Sequence, residues 1–263
     1  MEEISLPNKV HFAQDKANPY RATVTIEPFY PGYGHTVGNS LRRVLLSSLI
    51  GAAVTRVKIK GVDHEFTTIS NMKEEVLQLI LGLKQLRVRM HTDEPQRLIL
   101  KAKGAKEVTG ADIGKNAQVD IVNSDLVIAT LTDSKAELEV EIVVEKGRSY
   151  LPVEARPHET EIGMISVDAI FTPVTKVEYK VESSRVGQRT DFDKLILDIE
   201  TDGSVSVEQA VQQASALLVA HFSFLASFDP SEEKSMIENR AEEVGDADAI
   251  EEEGESKNIG KKR

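Results

Sequence analysis

The sequence predicts an α+β fold built on antiparallel sheet, and three observations point there. Several tracts alternate apolar and polar residues with period two. The spacings between them are short and carry turn pairs such as Asp202-Gly203, which suit hairpins and meanders better than βαβ crossovers. Only three tracts carry a helical apolar stripe.

The strands come first. Tyr20–Phe29 sets Ala22, Val24 and Ile26 against Thr23, Thr25 and Glu27. Ala136–Glu145 alternates more cleanly, with Leu138, Val140, Ile142 and Val144 opposite Glu137, Glu139 and Glu141. One wet face is the mark of an antiparallel sheet, not of a buried parallel one. Further strands are predicted over Val54–Lys60, Arg97–Lys103, Asp125–Leu131, Met164–Phe171, Lys176–Glu182 and Leu195–Glu200.

A first helix is predicted from about His35 to Leu49, after the turn-forming Pro31-Gly32-Tyr33-Gly34, with Val37, Leu41, Val44, Leu45 and Leu49 on one stripe. A second, about Lys73–Leu86, follows Asn71 with Glu74 three residues on, a capping pair. A third, about Val207–Phe228, opens on Ser206-Val-Glu-Gln209 and stops before Asp229-Pro230.

At ~1.5 Å per residue the third helix spans roughly 33 Å. Val207, Val211, Ala214, Leu218, Phe222 and Leu225 line it, with Leu217, Phe224 and Phe228 beside them. That stripe is wider than one sheet face covers. A thoroughly buried core helix would account for it. A helix that covers its own sheet and also packs on a partner accounts for it better, and two-fold pairing is the commonest way to bury such a surplus.

With 263 residues and 40 % hydrophobic content the chain can bury a real core. It has no cysteine, which excludes disulfides, thiolate metal sites and a cysteine nucleophile. The net charge of −11 is the wrong sign for a surface that grips nucleic acid throughout. More than half of it lies in residues 229–263, with 12 acidic and 6 basic residues; the preceding 228 residues carry 31 and 26. Glu242-Glu243, Asp246, Asp248 and Glu251-Glu252-Glu253, set among Gly, Ala and Ser, predict a disordered tail. The acidic N-terminus does not resemble a secretory signal. The apolar tract Ala214–Phe228, broken by serines and His221, falls short of the ~18 residues of a spanning helix. A cytoplasmic protein without a membrane partner is expected.

Gly32-Tyr-Gly34-His-Thr-Val-Gly38 has a phosphate-loop look, but a dinucleotide fingerprint needs glycine at Val37, and Gly-Lys-Ser/Thr is missing. A tight turn feeding a helix is the better account. The six histidines show no metal-ligand spacing, no Gly-x-Ser-x-Gly elbow is present, and Asp63-His64-Glu65 lacks a nucleophile nearby. No self-contained active site is expected. Arg42-Arg43 beside Leu45-Leu46 fits a solvated helix face and a protein–protein hot spot equally.

Several tracts together carry a family resemblance. Glu27-Pro-Phe29 and Gly32-Tyr-Gly-His-Thr-Val-Gly-Asn-Ser-Leu-Arg-Arg-Val-Leu-Leu-Ser-Ser48 are followed by Gly61-Val-Asp-His-Glu-Phe66, Glu74-Glu-Val-Leu77 and Lys84. Gly147-Arg-Ser-Tyr-Leu-Pro152, Ile162-Gly, Val167-Asp-Ala, Pro173-Val and Arg185-Val-Gly-Gln-Arg-Thr-Asp-Phe-Asp-Lys-Leu195 come next in order. Over about residues 15–228 the chain resembles the bacterial RNA polymerase alpha-subunit family.

The resemblance implies a discontinuous dimerisation domain, 1–50 with 168–230, in which two helices pack on an antiparallel sheet. It implies an inserted mostly β domain, 51–167, ahead of an acidic tail, 231–263. A homodimer would scaffold the beta and then the beta-prime subunit. Dimer contacts would come from Val37, Leu41, Val44, Leu45, Val211, Leu218, Phe222 and Leu225. By motif, Arg42, Arg43 and Leu46 take beta-contact positions, and Lys84 and Val167 take beta-prime positions. For Val167 the periodicity equally allows a core role. No cofactor is implied in this chain, the catalytic magnesium of the polymerase belonging to beta-prime. The tail stands where the family continues into a DNA-binding domain, so contact with upstream promoter DNA is not expected. The alternative is a stand-alone dimeric binding module of the same fold.

Overall fold

A computed structural model describes residue 4, residues 6–156, residue 161 and residues 163–227. The elements run β1 (Lys9–Gln14), β2 (Arg21–Phe29), α1 (Tyr33–Ser47), β3 (Ile50–Ile59), α2 (Val76–Lys84), β4 (Val88–Met90) and β5 (Gln96–Lys103). They continue β6 (Lys106–Thr109), β7 (Val119–Ile121), β8 (Val127–Leu131), β9 (Glu137–Arg148), β10 (Tyr150–Leu151), β11 (Met164–Ser166) and β12 (Ala169–Ile170). The last are β13 (Val174–Val186), β14 (Arg189–Thr201) and α3 (Val207–Ser227). All strand pairings are antiparallel, as the alternation predicts.

One four-stranded sheet, in the order β1-β2-β14-β13, draws its strands from both ends of the described chain. Its register sets Leu195 opposite Ile26, Leu197 opposite Val24 and Ile199 opposite Ala22, so three of the four buried residues of β2 meet a buried residue of β14, and the fourth, Phe29, stands opposite Asp193. Such cross-strand pairs are the unit of sheet stability. α1 lies on this face with Leu41 and Leu45 buried, and Leu49 just after it joins the same core. Its close seat depends on glycine: a Cβ at Gly38 would come within 2.8 Å of the Leu195 and Tyr179 side chains. Val207, Ala210, Val211 and Ala214 of α3 enter the same core.

A second sheet, β11-β3-β9-β5, interrupts the first in sequence and builds its own core with α2 and the short strands β4, β6, β7 and β8. β9 follows the predicted alternation. Leu138, Val140, Ile142 and Val144 are buried, while Glu137, Glu139 and Glu141 pair with Lys103, Lys101 with Lys60, and Arg97. Val143 is buried too, because the β3–β9 register shifts between Val54 and Arg56. That shift turns Thr55 inward, where its hydroxyl donates to the Val143 carbonyl at 3.4 Å.

Several expectations need correction. α1 starts at Tyr33, two residues early, and ends at Ser47. The Asn71/Glu74 pair does not cap α2: Asn71 has φ 65°, and the Glu74 carboxylate accepts the Thr130 N–H at 2.7 Å. The box forms four residues later, with Glu75 and Gln78, and the helix is accordingly shorter. The strand expected over Met164–Phe171 is split around Val167 and Asp168 into β11 and β12. The α3 cap is as expected: Gln209 N–H donates to Ser206 Oγ, and Ser206 N–H to Gln209 Oε1, both at 3.2 Å.

At 21 residues α3 is long and apolar enough, by length and composition alone, to cross a membrane. The burial of its first two turns in the sheet core assigns that part to the protein interior instead. The compact unit ending at Leu218 holds both cores; a second begins at Val219, where residues 219–227 are all exposed. Phe228 and the acidic tail lie outside the described residues.

Candidate functional site

The chemistry on offer lies on surfaces. α1 presents Arg42 and Arg43 in its third turn, both exposed. Arg42 is partly engaged, its Nε donating to the Val177 carbonyl at 3.3 Å. The Arg43 guanidinium has no partner among the described residues, so its whole donor fork faces outward. Leu46 next to it is half-buried against the sheet core, and its carbonyl accepts the Thr172 hydroxyl at 3.4 Å.

Lys84 closes α2, where a cation complements the helix dipole. Its Nζ stands 3.7 Å from Asp168 Oδ2. The Val153 N–H donates to Asp168 at 3.0 Å, and this bond, with help from the Tyr150 hydroxyl and Lys84, holds the carboxyl below the usual carboxylate range against its partial burial. Burial, then Asp168, pushes the Tyr150 phenol up. Asp168 thus ties β10, the turn after it and the end of α2 together, a role that reading the sequence missed although Val167-Asp-Ala was singled out.

Val167, at 6 % exposure, packs in the inserted core, and its N–H donates to the Thr55 carbonyl at 2.8 Å. Its side chain therefore offers a partner almost nothing, and its core role is the one realised. Arg156 was missed as well. Its guanidinium donates to the Thr55 and Leu151 carbonyls at 3.1 and 3.0 Å, and burial lowers its pKa.

The stripe residues divide. Leu41, Leu45 and Val211 are buried in the chain's own sheet core, so as contacts for a second copy they are corrected to intramolecular ones. A helix of this amphipathicity gives its innermost residues to the sheet it lies on. Val37, Val44 and Leu218 are half-buried. Phe222 and Leu225 are 59 % and 66 % exposed, alongside Val219 at 63 % and Phe224 at 70 %.

Among the described residues no group of three or more His, Asp or Glu side chains could hold a metal. An open groove of about 630 Å³ runs past Arg89, His91 and the start of α3. Its arginine is already spent on the Ser204 and Gly203 carbonyls at 2.7 and 3.1 Å, and His91 on Asp120 at 2.8 Å.

These features define a class: a two-core α+β chain, one sheet inserted within another, with the Arg43 guanidinium and an apolar helix end exposed among the described residues. The family model described as the RNA polymerase Rpb3/RpoA insert domain matches residues 57–172. A DNA-directed RNA polymerase subunit alpha from Bifidobacterium adolescentis is 45 % identical over 247 residues, covering 94 % of this chain and 72 % of that protein. The subunits alpha of Saccharopolyspora erythraea and Corynebacterium jeikeium are 53 % and 52 % identical, over 80 % and 77 % of this chain and 58 % and 59 % of theirs. The chain belongs to the bacterial DNA-directed RNA polymerase alpha-subunit family, and spans between 58 % and 72 % of the length of these relatives.

Proposed function

We propose that the chain is a non-catalytic assembly subunit of a cytoplasmic RNA polymerase: it homodimerises and scaffolds the beta and beta-prime subunits. The observation that carries this is the last nine described residues of α3, where Val219, Phe222, Phe224 and Leu225 stand exposed together. A cluster of large apolar side chains in water is the mark of a surface that meets another protein. Its isologous pairing would bury them at little cost in specificity.

The dimerisation part is assigned to 1–50 with 168–230, and the insert to 51–167. In support, the core under α1 and α3 draws on residues 22–49 and 174–214, and the second core on residues 54–144 with Val167. Arg43, with Leu46 and Arg42 beside it, is assigned to the beta subunit as a fork donor to a carboxylate or carbonyl. Lys84, held by Asp168, is assigned to beta-prime. Nucleotidyl transfer is assigned to the assembled enzyme, with its magnesium on beta-prime. These 263 residues, acidic overall, are not assigned upstream promoter DNA.

Co-expression with both large subunits tests the reading. Two copies of this chain per beta and beta-prime are expected in the purified complex. A dimer that never enters polymerase would make it a stand-alone binding module. Footprinting with the holoenzyme tests the last assignment: upstream protection lost when this chain is replaced would overturn it.

A further inference from the structure

α1 begins without a cap of its own. Gly32 at its N-cap has φ 87° and no side chain to offer, and no acidic residue lies in the first turn. The first amides of a helix lack intrahelical acceptors and carry the positive end of its dipole. Here a distant carboxylate fills that gap. Asp193 Oδ2 accepts the Gly32 N–H at 2.9 Å and the Gly34 N–H at 3.0 Å, across 161 and 159 positions of chain.

The surroundings aim that carboxylate. Asp193 stands on β14 where the pairing with β2 shifts register between Asp193 and Leu195, and such an irregularity redirects a side chain. Phe192 before it is buried, edge-on to Tyr30 with ring centres 6.4 Å apart, and the Arg189 guanidinium lies 5.0 Å from its ring centre. A Cβ at Gly34 would come within 2.9 Å of Asp193 Cβ and Val181 Cγ1, so the helix start sits on β13 and β14 at a distance only glycine permits. The tract Arg189-Thr-Asp-Phe-Asp193, which no proposed subunit contact uses, is thereby organised around the start of α1.

We propose that Asp193 is the positioning residue of α1: its carboxylate seats the first two turns on the sheet and so presents Tyr33, exposed, and Val37, half-buried, to the second copy. This rests on the dimer reading above.

The test is hydrogen exchange by mass spectrometry on the full chain, with the dimer dissociation constant from analytical ultracentrifugation. In Asp193→Ala the amides of residues 32–37 should exchange roughly five- to tenfold faster, the usual consequence of a lost cap, and the dimer should weaken severalfold. Asp193→Asn keeps a carbonyl acceptor in place and should restore both within about twofold, a rescue that a general loss of packing would not give. Unchanged exchange in Asp193→Ala, or an Asn variant as defective as Ala, overturns the proposal. Should Asp193→Ala fail to fold, Gly34→Ala takes its place: it pushes the helix off the carboxylate and must speed the same amides, and unchanged rates overturn the proposal. A monomeric wild-type chain overturns the presentation to a second copy, while the exchange arm still decides the cap.

Discussion

The two hydrophobic cores are closed in different ways. The inserted core is sealed by α2 and by four strands of only three to five residues, and the outer face of its sheet is a ladder of Lys/Arg–Glu pairs. The core under α1 and the first two turns of α3 is just as dry, with Leu45, Leu195, Leu197 and Ile199 all fully buried. Yet the helix that helps to close it continues into nine exposed residues carrying two phenylalanines. One sheet finishes its surface with charge. The other is followed in the chain by large apolar side chains that stand exposed. The difference teaches where to look for partners: the inserted sheet ends in paired charges, and the exposed end of α3 is where the proposed second copy would sit.

Variants in each region separate the two kinds of closure, from the largest expected effect down. Leu100→Ala opens a cavity in the inserted core and should cost about 2–5 kcal/mol in urea unfolding, with self-association unchanged. A dimer lost along with that stability would mean the cores are not separately closed. Phe222→Asp should do the reverse. It places a carboxylate where a second copy must bury it, so the dimer constant should rise by roughly a hundredfold, about 2.7 kcal/mol, while urea stability of the monomer moves by no more than about 0.5 kcal/mol.

Arg43→Ala should leave the dimer intact and weaken capture of the beta subunit roughly tenfold, read by titration of the purified subunit. A monomeric Arg43→Ala would join the two surfaces that are kept apart here. The smallest effect is at Asp198. Hydrogen bonds from Arg21 hold its carboxyl below the usual range, against partial burial. The stability this supplies is present above the ordinary carboxylate pKa of about 4 and is lost as pH falls through the lower folded value. In Asp198→Asn the urea midpoint should therefore fall less steeply below about pH 4 than in wild type. An unchanged acid limb would remove Asp198 from the account.

Long, strongly periodic tracts were legible in the sequence: β2, β9, and α3 with its Ser206/Gln209 cap. β4, β7 and β10 were not, because two or three residues do not complete an alternation. β1 has the alternation of Val10 and Phe12 but buries Phe12 only in part and leaves Val10 exposed, being a sheet edge. Among the candidate contacts, Arg42-Arg43 beside Leu45-Leu46 was legible only as a solvated face or a contact surface, and the choice of Arg43 rests on the family resemblance. The stripe of α1 was not resolvable in the same way. Leu41 and Leu45 lie on one helical face with Val37 and Val44, and periodicity does not say which of them the chain keeps for its own sheet. Asp193 could not be found by any local rule, since the amides it caps lie some 160 positions away.

Light scattering on the isolated chain during size exclusion tests the central claim most directly. The account predicts a mass twice the 29.0 kDa of one chain, shifting to that dimer plus one beta subunit when beta is added. A single-chain mass at micromolar concentration, with or without beta, would contradict it.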